Sequence, residues 1–155
     1  MLRSVLAVIA GYITMAVWVM VTLSIAWMLT GPSVAFQPGT TNVTSAWLMI
    51  NIPMSFVGSI LGGWVAAAIA RRRRPVYALA VLVALLALAS AVYQLTASRP
   101  ALPRPVEQLS TFEAASYAVQ PDWYNFVIAV VGFVGVLAGE RLKRGRTTSP
   151  ITEDG

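Results

Sequence analysis

The chain reads as four long apolar runs separated by short polar or proline-marked breaks. The runs cover about residues 5–30, 44–70, 75–97 and 123–139, and none contains Asp, Glu, Lys or Arg. A helix rises 1.5 Å per residue, so about 20 apolar residues cross the hydrocarbon core of a bilayer. The first three runs exceed that length, and the fourth lies near the lower limit of about 17. The runs are continuous rather than alternating, which predicts helices and not barrel strands. The predicted fold class is therefore all-α. It is an integral membrane protein with four transmembrane helices in a compact bundle, one domain over residues 1–146, followed by a polar, disordered tail at 147–155. The first run is read as a retained helix. It is longer than the roughly 7–15 residues of a signal-peptide core.

The breaks carry their own signals. Gly31-Pro32 and Pro38-Gly39 mark turns. Pro75, just after four arginines, suits the first turn of the third helix. The segment 98–122 starts with Pro100, Pro103 and Pro105. It then becomes compatible with a short outer-side helix near 106–119, with Val106, Leu109, Phe112 and Val119 as a weak apolar stripe.

Composition sharpens the membrane reading. Apolar residues make up 57% and charged residues 11% of the 155, against about 25% charged in a typical soluble domain. The net charge is +5, and its distribution says more than its size. Nine of the eleven basic residues fall on one side of a four-span layout: Arg3, Arg71, Arg72, Arg73, Arg74, Arg141, Lys143, Arg144 and Arg146. Arg99 and Arg104 fall opposite. The positive-inside rule then predicts both termini in the cytoplasm, with a bacterial inner (cytoplasmic) membrane as the expected location. Membrane orientation accounts for these charges, so no nucleic-acid partner is expected. Arg71, Arg72, Arg73 and Arg74 are read as a topology anchor and as candidate contacts for anionic lipid headgroups. Trp27, Trp47, Tyr93, Trp123 and Tyr124 fall near predicted outer boundaries, where amphipathic rings anchor helices. Trp18, in mid-run, breaks that pattern.

Candidate chemistry is sparse. The chain has no cysteine and no histidine, which excludes disulfides, thiolate or imidazole ligands and the corresponding nucleophiles. No cofactor, metal or catalytic residue is assigned, and the chain is read as a non-enzyme. Glu140 abuts the fourth run, where it is expected to hydrate or to pair with a basic neighbour. Asp122 reads as the cap of the fourth helix.

Small residues recur at helical spacing. Gly58-x-x-x-Gly62 and Gly135-x-x-x-Gly139 are the clearest pairs, assigned to helix packing. Ser55, Gly58, Gly62 and Ala66 share a face of the second run. Ala80, Ala84, Ala87 and Ala91 share one on the third, and Ser4, Ala7, Gly11 and Thr14 one on the first. Such faces serve either packing within one bundle or an interface with a second copy or partner. The segments around Gly58 and Gly135 also resemble each other, which suggests two related helical hairpins. Asn51, Pro53 and Ser55 form a candidate polar site. Pro53 frees a carbonyl near Met49 and bends the helix, and polar groups beside such a break either satisfy the backbone or bind a ligand. Gln94 and Asn125 could join Asn51 in an outer polar cluster.

These features predict a small polytopic membrane protein with a non-enzymatic structural or accessory role. It would pack with itself as a homo-oligomer or within a larger membrane complex, in contact with the lipid bilayer. The alternative is a small oligomeric channel or transporter, with Asn51, Pro53 and Ser55 as the first lining residues.

Overall fold

A computed structural model describes residues 2–70, 72–96, 113 and 116–145. The elements are α1 (Leu2–Thr30), α2 (Pro32–Ala35), α3 (Ser45–Ile69), α4 (Arg74–Thr96) and α5 (Asp122–Gly145). All except α2 are long and apolar enough to cross a membrane. Most of the region predicted as an outer-side helix, together with Arg71, Arg146 and the 147–155 tail, lies outside the described residues.

Local chemistry sets the helix ends. Thr44 caps α3, its hydroxyl accepting from the Trp47 amide at 3.2 Å and donating to the Val34 carbonyl. Pro75 is the second residue of α4, where its missing N–H costs nothing. Asp122 is the first residue of α5 rather than its cap, and its charge still complements the helix dipole there. The α5 helix continues to Gly145, beyond the predicted end at 139. Its last turns carry Glu140 and Arg144, an i,i+4 ion pair that extends the helix past its apolar stretch.

The centre of the structure is the pair α3 and α5, which run parallel. Ser59 lies against Gly135, Gly63 against Val136, and Ile60 and Trp64 against Gly139, so the contact register advances together along both helices. The α1 helix packs on another face of α3, where Gly58 meets Trp18 and Gly62 meets Met15 and Gly11. The α4 helix packs on α5, with Val83 against Gly132. It also touches α1 near Gly11 and Leu79. Two apolar clusters result. One holds Ala66, Val76, Leu79, Ala80 and Val136. The other holds Ala35, Phe36, Val43, Leu48 and Tyr124, with Trp27, Trp47 and Tyr117 packed around it.

The second cluster closes one end of the helices. Phe36 and Val43 pair antiparallel, and Asn42 pairs with Val119 in parallel. The Val43 amide donates to Val119 at 3.0 Å, and the Val119 amide donates to Thr41 at 2.9 Å. The connection between α1 and α3 is thereby stitched to the segment entering α5. Gly31 and Gly39 sit at positive φ, 71° and 70°, where a side chain would be strained.

Candidate functional site

All four glycines assigned to packing lie buried between helices of this one chain. Gly58 and Gly62 face α1, and Gly135 and Gly139 face α3. The predicted small-residue stripes also turn inward. Ala7, Gly11, Gly58, Gly62, Ala66, Ala80 and Ala91 are buried, and Thr14, Ser55, Ala84 and Ala87 are partly buried, whereas Ser4 is exposed. The proposed internal repeat is not carried into the contacts. Gly58 and Gly62 bind α3 to α1, while Gly135 and Gly139 bind α5 to α3 and not to α4. Gly63 and Gly132 make equally close approaches and belong to this framework. Their signal was present as Ser59-x-x-x-Gly63, a second face of α3, and as Gly132-x-x-Gly135, which extends the Gly135 and Gly139 stripe of α5 by one turn.

The candidate polar site is organised along α3. The Ser55 hydroxyl donates to Asn51 Oδ1 at 3.0 Å, and the Ser59 hydroxyl donates to the Ser55 carbonyl at 2.8 Å. Pro53 interrupts the ladder between them and is exposed. Beside the break, the Trp18 indole N–H of α1 donates to the Met54 carbonyl at 3.0 Å. This bond explains a tryptophan in mid-helix, where an interfacial role fails: an indole donor in an apolar setting needs an acceptor. Thr14, Thr22, Thr30 and Thr96 likewise donate to carbonyls four residues earlier in their own helices. Asn51 and Asn125 are both buried, but among the described residues no hydrogen bond joins Asn51, Gln94 and Asn125.

A small cavity of about 120 Å³ lies at the closed end, lined by Leu23, Trp27, Phe36, Trp47, Asn51 and Gln120, among others. Trp27 packs edge-on against Phe36 and Trp47, with centroids 5.8 and 6.1 Å apart. Trp27, Trp47 and Tyr124, placed near an outer boundary by sequence position, also pack against one another's neighbours at that end. Their rings fill the cap, because the connection 31–44 folds back over them. Trp123 and Tyr93 remain exposed, at 51% and 70%.

The opposite end is basic. Arg3, Arg72, Arg73, Arg74, Arg141, Lys143 and Arg144 lie at the corresponding ends of α1, α4 and α5. Glu140 is buried there, its side chain 6% exposed, and its Oε1 accepts from Arg144 Nε at 2.8 Å and pairs with Arg73 Nε at 3.5 Å. The Lys143 ammonium sits 5.4 Å from the centre of the Trp64 ring, a cation–π contact between α5 and α3. Of the four consecutive arginines, Arg73 is thus drawn into a tertiary ion pair. Arg72 and Arg74 are exposed.

Fold and helix composition define an all-helical protein with four helices fit to cross a membrane. No protein-family model matches the chain, and no curated protein or solved structure matches it.

Proposed function

We propose that the chain is a small integral membrane protein acting as a non-catalytic structural or accessory component of a membrane assembly. The proposal places it in a bacterial inner membrane with the basic end, and so both termini, in the cytoplasm. Nine basic residues on one side support that orientation.

The observation that carries the functional reading is the construction of the interior. Helices meet there at glycine, close to backbone contact, the Thr14, Thr22 and Ser59 hydroxyls bond to carbonyls of their own helices, and Ser55 bonds to Asn51 one turn away. A space filled in this way serves cohesion. The outward faces of α1 and α4 carry large apolar side chains such as Ile13, Val17, Leu85 and Val92, open to lipid or to lateral neighbours. The second reading, a small oligomeric channel or transporter, draws on the cavity beside Asn51.

Native purification of the tagged chain at natural expression, with mass determination and identification of co-purifying proteins, separates the two. A stoichiometric partner protein is the expected result. A homo-oligomer that conducts solutes in liposomes would replace the accessory reading with the channel reading.

A further inference from the structure

At the basic end a cleft of about 300 Å³ opens between the start of α4 and the end of α5. It is lined by Arg73, Tyr77, Leu137, Glu140, Arg141 and Arg144. Three arginines against one glutamate leave two positive charges on its walls. The volume is at the lower end of the range for small-molecule sites, about 300–1,000 Å³.

Glu140 has a double effect here. It is buried, and it pairs with Arg73, in the connection just before α4, and with Arg144 of α5. Two long cationic side chains from elements distant in sequence are thereby held at one cleft. Arg73 keeps 67% of its side chain exposed, and Arg141 is exposed beside it. A guanidinium has five N–H donors in a planar fork, and phosphate oxygens match that fork. A single 3.5 Å contact to Glu140 leaves Arg73 donors for another acceptor, and Arg141 adds a second set.

The lining also spans two environments. Tyr77 lies one turn into α4, and Leu137 lies one turn before Arg141 on α5. The cleft therefore reaches from the charged layer down to the apolar part of the helices. An acidic phospholipid has the same order of groups, an anionic phosphate ester above acyl chains. We propose that this cleft binds the phosphate ester of an acidic phospholipid headgroup, with Arg73 and Arg141 as the direct contacts and Glu140 and Arg144 as the positioning pair. The site goes beyond either functional reading and requires only that the helices lie in a bilayer.

The test is native mass spectrometry of the detergent-purified full chain, titrated with phosphatidylglycerol, phosphatidylcholine or soluble glycerol phosphate. Phosphatidylglycerol is expected to bind roughly thirtyfold more tightly than phosphatidylcholine, the preference that two basic contacts near the surface supply. Arg73→Gln/Arg141→Gln removes that preference, and Arg3→Gln, at the exposed start of α1 and outside the cleft, keeps it. Unchanged melting of the variants without added lipid verifies the fold; if the double variant fails to fold, Arg141→Gln alone is read, with a partial loss expected. Equal binding of the two lipids, or a preference that survives the substitutions, overturns the proposal. Displacement of phosphatidylglycerol by an equal concentration of glycerol phosphate overturns the lipid assignment in favour of a soluble phosphate ester.

Discussion

Gly63→Ala and Gly139→Ala are expected to destabilise the chain more than alanine at any other described glycine of the long helices. A methyl group on Gly63 would collide with the carbonyl oxygen of Val136, and one on Gly139 with the carbonyl of Ile60 and the amide of Trp64. Both obstacles are backbone, so α3 and α5 must move apart along their length. Overpacking of this kind costs about 1–3 kcal/mol, and the upper part of that range is expected because no rotamer change relieves the clash. Leucine at either position should abolish the folded state. Gly132→Ala provides a graded comparison. Its added methyl would stand 2.7 Å from Val83 Cγ1, the far end of a side chain that can turn away. Gly145→Ala should be neutral, since nothing lies within 4 Å. Thermal melting of the purified variants in one detergent reads the series, and equal melting temperatures for Gly63→Ala and Gly145→Ala would exclude the backbone contact.

The second large effect is expected at Glu140. Glu140→Ala removes the carboxylate that Arg144 pairs with, beside Arg73 and Arg141. Breaking a fully buried ion pair costs about 3–5 kcal/mol. Here the arginine side chains are 67% and 37% exposed, so solvent screens them and a loss of about 1–3 kcal/mol is expected. Glu140→Gln should fall between, because its amide oxygen still accepts a hydrogen bond. Glu140→Ala/Arg144→Leu should recover part of the loss by removing the stranded charge. The check is a double-mutant cycle on melting temperature. Additive effects of the two substitutions would mean that the pair contributes no coupling.

Sequence alone made the helices legible, because a charge-free run of this length has few other solutions. It also made the inward faces legible. Where lipid removes the hydrophobic drive for helix association, small residues mark the sides that approach. Ala7, Gly11, Gly58, Gly62, Ala80 and Ala91 all obey that rule. What a one-dimensional pattern could not supply was pairing. The adjacent glycines Gly62 and Gly63 point to different helices, and only the fold tells which. The resemblance around Gly58 and Gly135 suggested matching hairpins, yet the matched glycines meet different neighbours.

The ionic site was half legible. Glu140 was expected to hydrate or to find a basic neighbour, and Arg144 one turn later is local. Arg73 arrives from the connection before α4, distant in sequence, so its role could not be separated from that of the arginines beside it. The packing of the aromatic residues at the helix ends was not legible for a similar reason. An interfacial tryptophan and one covered by a returning loop look alike until the backbone bonds between residues 41–43 and Val119 are known.

The central claim is that the glycine faces are consumed inside a single chain. It is tested most directly by cross-linking. The chain has no native cysteine, so Ser59→Cys/Gly132→Cys places the only two thiols across the interface of α3 and α5. A methyl on Gly132 would lie 3.9 Å from Ser59 Oγ, within reach of a disulfide after small adjustment. Mild oxidation in native membranes should give an intramolecular cross-link, detected by mass spectrometry as a linked peptide pair at monomer mass. Covalent dimers in place of that product would show that the glycine faces join two copies, and would contradict the account.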